Sequence, residues 1–410
     1  MSATARRPLR VVVVDHTAEL GGAELALVRL CAALRDRPGG PRVRVRVVLG
    51  ADGPLRPLLE REGVGVDVVP LAPSLGTVRR TDALRPGADP LRRPAAAAAF
   101  TARLAWRLRA LRPDVVHATS LKADLLTLLP AALARRPLVW HVHDRVAPDY
   151  LPAAAVRLVR AASRLPAAVV ANSRATAATL PGPCTVAYPG LAPAQLRARR
   201  AGDEARGPAT APVVGVVGRL SPTKGQRELL RALPAVLRAH PRARLRVVGE
   251  ASFGAGAYER ALRDEARRLG VEHAVDWVGF VPDPAAELDA FAVCVHASPV
   301  PEPFGQVVVE AMARGVPVVA TRAGGVPEIL DPEGPGGGRG AGPLGRLVPP
   351  GDVDALARAV VDVLDRPAEA AARAARAADV ARARFPVART ADAVSEVWWR
   401  VAARGSAPRP

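Results

Sequence analysis

Glu302 and Glu310 are separated by seven intervening residues in the run Pro299–Leu330, PVPEPFGQVVVEAMARGVPVVATRAGGVPEIL. Glu302 falls within Pro301-Glu302-Pro303-Phe304-Gly305, a turn-prone segment where no helix can continue. Glu310 falls five residues into the helix expected after Gly305, which ends near Arg314-Gly315. That helix opens with unpaired backbone N–H groups beside Phe304 and Gly305, a ready anion site. A carboxylate on a loop and another near a helix start suit a ligand that carries both hydroxyls and phosphates. A second pair lies in Val217-Gly218-Arg219-Leu220-Ser221-Pro222-Thr223-Lys224-Gly225. Arg219 and Lys224, five apart across a turn, can converge on a diphosphate, the guanidinium as a clamp and the ammonium as a point charge. The less favoured alternative is two solvated loop cations. Of the 58 basic residues only Lys122 and Lys224 are lysines, and with Ala and Pro also abundant this reads as a GC-rich codon bias. Single arginines then carry little information, whereas a retained Lys224 suggests a geometric role. Two glycine pairs complete the set, Gly21-Gly22 and Gly324-Gly325, where backbone can approach a ligand closely.

These residues need strand ends to hold them. Leu9–Asp15 is a continuous apolar strand, followed by a glycine-bearing loop and a helix from about Ala23 to Arg35. That order begins an open parallel sheet, although the loop is not GxGxxG and no dinucleotide site is read from it. Strands are expected at Val43–Leu49, Val66–Leu71, Asp114–Ala118, Leu138–His143, Ala167–Asn172 and Thr185–Tyr188, with helices between them. The βαβ rhythm predicts a doubly wound α/β sheet with ligands beyond its C-terminal strand ends. His16, His117, Lys122, His143, Asp144 and Asn172-Ser173 fall there. Pro193 to Pro212 is polar and without apolar period, and is assigned as a linker over residues 196–211. The pattern restarts at Val213–Val217, with further strands at Arg244–Val248, Val275–Val278, Val293–His296 and Val316–Ala320. The expected domains are therefore residues 1–195 and 212–385. Glu333–Gly342 is glycine-rich and expected as a surface loop.

A chain of 410 residues exceeds one core, and 49% hydrophobic with 24% charged residues fits a folded enzyme. The formal net charge of +19 admits nucleic acid, anionic lipid or phosphorylated substrates. Nucleic acid is disfavoured, because no helix-turn-helix, RRM or zinc-ligand pattern occurs and aromatics are 3%. Cys31, Cys184 and Cys294 are widely spaced in apolar runs, as expected of buried thiols in a reducing compartment. Val11–Val14 is too short for a signal peptide, and no run reaches the ~18 apolar residues that span a bilayer. A cytoplasmic protein is expected. Arg-rich amphipathic stretches at Phe100–Arg112 and Val156–Arg164 suggest peripheral contact with an anionic membrane, or simple solvation. Asp352-Val353-Asp354 has the letters of a metal-binding DxD but opens a helix, so Asp352 is expected to cap it, and no metal site is assigned. His117 and His296 lie at strand ends, where a structural or incidental role is expected, and His240 and His273 fall in helix-end or loop contexts without a visible partner.

PEPFGxxxxEAMAxGxPVVAT, GRLSxxKG, the N-terminal GGAE and LVPPGD together resemble family 4 of the retaining glycosyltransferases, with the GT-B fold, over most of the chain. The resemblance implies two Rossmann-like domains facing across a cleft, with a C-terminal helix (about 386–404) crossing back to the first. It implies a nucleoside-diphosphate sugar, UDP- or GDP-linked, as donor, and a glycan, lipid or small-molecule acceptor held mainly by the first domain. It implies no cofactor and no metal. It places Arg219 and Lys224 on the diphosphate, Glu310 on the ribose and Glu302 on the donor sugar, aided by the Phe304 and Gly305 amides. Gly21 and Gly22 would approach the phosphates. His143, followed by Asp144, would lie near the sugar, with His141 as the other candidate. After Val248-Gly249 the chain departs from the family pattern, with Glu250-Ala251-Ser252 in place of the common Gly-Asp-Gly-Pro. A UDP-sugar 2-epimerase-like isomerase and a non-catalytic sugar-nucleotide binder are the alternatives on the same architecture.

Overall fold

The computed structural model describes residues 7–36, 43–76, 92–197, 211–251, 256–334 and 342–405. Most of the expected linker (198–210) and of the glycine-rich segment (335–341) lies outside the described residues, as does most of Ala72–Pro94 (77–91), one of the first-domain loops expected to contact the acceptor. The chain divides into two compact units, Met1–Gly190 with Val387–Pro410, and Leu191–Pro386.

In the first unit, strands β1 (Leu9–Asp15), β2 (Val43–Leu49), β3 (Gly65–Val68), β4 (Val115–Ala118), β5 (Leu138–Val142), β6 (Ala168–Ala171) and β7 (Thr185–Val186) form a sheet in the order β3-β2-β1-β4-β5-β6-β7. Every pairing is parallel, with β1 matching β2 from Leu9↔Val43 to Asp15↔Leu49. Strands covered on both faces read as unbroken Val runs. Their period of two then splits each strand between two cores. Val12 and Val14 pack with Phe100, Leu104 and Trp140 on one side, while Val11 and Val13 pack with Leu27, Leu30 and Trp398 on the other. Helices α1 (Gly22–Arg35), α2 (Leu55–Arg61), α3 (Pro73–Gly76), α4 (Arg92–Leu111), α5 (Leu121–Leu133), α6 (Ala153–Ala162) and α7 (Arg174–Ala177) lie between the strands in the chain. Chain order reverses between β1 and β4, the switch point where doubly wound sheets open a crevice.

The second unit repeats the plan. Strands β8 (Val213–Val217), β9 (Arg244–Val248), β10 (Val275–Gly279), β11 (Val293–His296), β12 (Val318–Thr321) and β13 (Arg346–Val348) run parallel in the order β10-β9-β8-β11-β12-β13. Helices α8 (Gln226–Ala239), α9 (Gly256–Arg268), α10 (Ala285–Asp289), α11 (Gln306–Ala313), α12 (Val326–Leu330), α13 (Val353–Asp365) and α14 (Pro367–Arg384) accompany it. Its switch point lies between β8 and β11. The last helix, α15 (Val387–Gly405), belongs to the first unit and packs on α1. Its Thr390 hydroxyl donates to Tyr188 O at 2.7 Å, and the Gly190 amide donates to that hydroxyl at 3.0 Å.

Three local readings change. Val326–Leu330, expected only as a glycine turn, is a short helix, because Pro327 occupies its first turn, where a missing N–H loses no partner. Arg346–Val348 is a strand on β12, three residues long and so below any detectable period. Cys31 and Cys294 are buried, but Cys184 is half-buried beside the two-residue strand β7, which is too short to cover it. The Asp352 carboxylate accepts from the Ala355 amide at 2.8 Å, so the DxD letters open α13 with a cap.

Candidate active site

At the switch point of the second unit the chain leaves β8 through Gly218 and Arg219, and it enters α8 at Gly225 with φ of +79°. A Cβ at Gly225 would stand 2.1 Å from Ala297 O, so only glycine lets the two strand-end loops touch. Ser298 ties them again, its hydroxyl lying 2.6 Å from Thr223 O and 2.7 Å from Val300 O. Buried Gln226 donates from Nε2 to Arg219 O at 3.0 Å, holding the arginine's backbone. This stapled loop delivers Lys224, whose ammonium donates to both oxygens of Glu302, at 2.8 and 2.9 Å.

Glu302 is itself fixed from behind. The Gly325 amide donates to its carbonyl at 2.8 Å, and Glu302 bridges to Gly324, whose φ is +63°. A Cβ on Gly324 would fall 2.0 Å from Glu302 O. Buried His296, at the end of β11, brings Nε2 to 3.5 Å from Glu302 Oε2. Burial alone would push the Glu302 carboxyl up. The Lys224 ammonium and the His296 imidazole outweigh burial and hold it well below the usual carboxylate range. Lys224 and Glu302 are thus one ion pair, where the sequence reading treats them as separate ligands.

The chain then turns at Gly305, φ +110°, into α11. The Phe304 ring is buried and meets Phe385 edge-on at 5.9 Å, so the ring serves the core. Glu310 lies in the second turn of α11 and is half-buried. Burial, reinforced by the Glu310 charge, pushes the Cys294 thiol of β11 up to about 12, so that thiol is inert.

In the first unit, His143 is the first residue beyond β5. The Asn172 amide donates to its carbonyl at 3.0 Å, and Thr119 Oγ1 is 3.4 Å from its Nε2. Between ring centres, His141 lies 4.1 Å from His143 and 5.3 Å from His117. Trp398 of α15 donates to His117 Nδ1 at 3.1 Å, which makes that nitrogen the acceptor. Burial lowers the pKa of all three imidazoles, His117 to about 3 and His143 to about 4 against the partial pull of Asp144 and Asp15. Ala23, Ala26 and Leu27 of α1 line a narrow crevice with the three histidines, so the helix that follows Gly21 borders this stack. Asp124, fully buried on α5, is pushed well up by burial and by Asp144 and Asp15.

His296 and His117 were not assigned to the site by sequence, and His141 stood only as the alternative to His143. The only signal for His296 is a lone imidazole at a strand end, six residues before a proline-flanked glutamate. That pattern does not distinguish a site residue from a core residue.

Two parallel doubly wound units, with glycines at the strand-end loops of each, define a GT-B protein. Residues 203–380 match the family described as glycosyl transferases group 1, and residues 21–182 match the glycosyl transferase 4-like domain. Anabaena HepE, solved in complex with UDP, is 30% identical over 96% of this chain and 100% of that one, with a TM-score of 0.76. A Mycobacterium tuberculosis glycogen synthase is 35% identical over 287 residues, 66% of this chain and 64% of that protein. A GDP-mannose-dependent alpha-(1-6)-phosphatidylinositol monomannoside mannosyltransferase of Mycolicibacterium smegmatis is 40% identical over 173 residues, 39% of this chain and 41% of that protein. The matches to these last two span less than two thirds of either relative's length. The chain belongs to the group 1, GT4-like glycosyltransferases, a family of nucleotide-sugar-dependent enzymes.

Proposed function

We propose that the protein transfers a sugar from a UDP- or GDP-sugar to an acceptor hydroxyl, with retention and without a metal. The observation that carries this reading is the Lys224–Glu302 pair at the switch point of the second unit. An ammonium has three donors, and two N···O contacts go to Glu302. The third is left for a phosphate oxygen, on a loop that also presents Arg219. The carboxylate, kept ionised, can accept hydroxyls of the donor sugar, and Glu310 those of the ribose.

In the proposed reaction the bond from the anomeric carbon to the β-phosphate oxygen breaks, and its electrons pass to that oxygen. Lys224, Arg219 and the backbone amides at Phe304 and Gly305 stabilise the developing charge. The acceptor oxygen bonds to the anomeric carbon on the same face, and its proton passes to the departing phosphate. The roles of Gly21, Gly22 and His143 rest on the family resemblance: close approach to phosphate for the glycines, and contact with the sugar for a neutral imidazole.

The relatives' ligands, UDP in HepE and GDP-mannose in the mannosyltransferase, support a nucleoside diphosphate without selecting the base. Screening the protein against UDP- and GDP-sugars for binding and slow hydrolysis tests the reading. Binding of one donor class is expected, with turnover that survives EDTA. Activity lost in EDTA and restored by Mn²⁺ would overturn the metal-free mechanism. Conversion of a UDP-sugar to its epimer without acceptor would favour the isomerase.

A further inference from the structure

Among the described residues six large apolar side chains are exposed: Trp106, Leu129, Leu133, Leu158, Leu165 and Phe280. Five of the six belong to one layer of the first unit. Trp106 is on α4, Leu129 and Leu133 are on α5, Leu158 is on α6, and Leu165 follows α6. These helices cover the same side of the sheet. Phe100, Leu104 and Leu108 of α4 share one core with Ala131 of α5 and with Val156 and Val159 of α6. Helices α4 and α5 pack together, and Arg109 donates to Leu133 O at 2.7 Å.

The charge on this layer has one sign. Helices α4 and α6 contain no Asp or Glu, and the single acid of α5, Asp124, is fully buried. Arg103, Arg109, Arg157, Arg160 and Arg164 are exposed around the apolar side chains, while Arg107 is set aside because it pairs with Asp67. The opposite layer differs. Arg35 of α1 pairs with Asp36 and Glu62, and Arg56 of α2 pairs with Asp52 and Glu60. Solvation accounts for the arginines but not for the tryptophan and four leucines among them. A second copy of the chain on this face would set arginine against arginine, because a two-fold contact is self-complementary.

We propose that the outer face of α4, α5 and α6 docks on an anionic lipid surface, with Trp106 and the leucines at the acyl boundary and the arginines among the phosphates. Docking of this kind needs no donor, acceptor or turnover, so it stands apart from the transfer reaction.

Flotation of the full chain, without nucleotide, tests it. One set of vesicles is phosphatidylcholine alone, and in the other part of it is replaced by phosphatidylglycerol. The protein is expected to float with the second set only, and less as salt rises. The Arg157→Ala/Arg160→Ala variant should lower the partition coefficient about 25-fold, at about five-fold per basic residue. Leu158→Ser/Leu165→Ser should lower it by on the order of ten-fold or more. Arg389→Ala, exposed on α15 of the opposite layer, should change it little. Circular dichroism of each variant, unchanged from the parent, separates lost docking from lost fold. The proposal is overturned if the parent stays with the unbound fraction on anionic vesicles, or if the α6 variants float as well as the parent. A dimer that Leu158→Ser/Leu165→Ser abolishes, in a protein that does not float, would overturn it in favour of a contact between copies. Binding to polyglutamate without binding to vesicles would overturn it in favour of an acidic protein.

Discussion

Beyond β8 and β11, the second unit keeps an ion pair at its strand ends, Lys224 on Glu302, with the carboxyl held well below the usual carboxylate range. Beyond β4 and β5, the first unit keeps three imidazoles that burial holds uncharged. Both places are C-terminal strand ends of parallel sheets, so topology alone does not separate them. The difference lies in what surrounds the titratable group. Glu302 is half-buried against a cation that offsets its desolvation. His117 and His141 are buried against each other, and His117 against Trp398, with no such counter-charge to keep them protonated. One end is built to meet charge and the other to stay neutral.

The sharpest test removes the cation. Lys224→Ala should lower kcat/KM for the donor on the order of 10²–10³-fold, if Lys224 has the proposed role of donor to the leaving phosphate. Measured donor affinity should fall with it. The variant should still fold, because Glu302 keeps its backbone bonds and His296. Near-parental kinetics would mean that the pair is structural only.

Acid should attack the first unit before the second. Each buried imidazole has a folded pKa below the ordinary 6.5, so the unfolded chain binds more protons between the two values and stability drops as pH falls through that window. For His117, whose folded value is about 3, acidification from about pH 7 to about pH 4 should cost on the order of 3 kcal/mol. The depressed Glu302 carboxyl acts in a lower window. Its contribution is complete above the ordinary glutamate value of about 4.3 and fades only as pH falls toward its own. Hydrogen–deuterium exchange at decreasing pH should therefore show β4, β5 and α15 losing protection before β8 and β11. The reverse order would break the comparison.

A smaller effect is expected at the turn behind the carboxylate. Gly324→Ala must relieve a Cβ 2.0 Å from Glu302 O at a φ of +63°, and should destabilise by roughly 2 kcal/mol while raising the donor KM. Unfolding and steady-state kinetics on that variant measure both. The smallest effect belongs to Asp352→Ala, which removes the cap of α13 and should cost about 1 kcal/mol with kcat unchanged. A lost kcat there would revive the DxD reading.

Much of the architecture was legible because it follows from local pattern. The spans Leu9–Asp15, Val43–Leu49, Val213–Val217 and Arg244–Val248 agree residue for residue with β1, β2, β8 and β9. Buried Val runs and amphipathic periods report secondary structure without knowledge of partners. Short elements were not legible. Arg346–Val348 has too few residues to show a period, and Val326–Leu330 hides behind the glycines that precede it. At the site, residue type and spacing singled out Lys224 and Glu302 as chemistry-bearing. Their 78-residue separation in the chain concealed that they are partners.

Local pattern was thus enough for the two parallel α/β halves, the glycine-bearing strand ends and the candidate donor residues, since each depends on neighbours a few positions away. The three-dimensional arrangement was needed to show that Lys224 and Glu302 neutralise each other, that His296 flanks them and that α15 carries Trp398 to His117. Those contacts join residues far apart in the chain, and the cost of burying each charge depends on what the fold brings beside it.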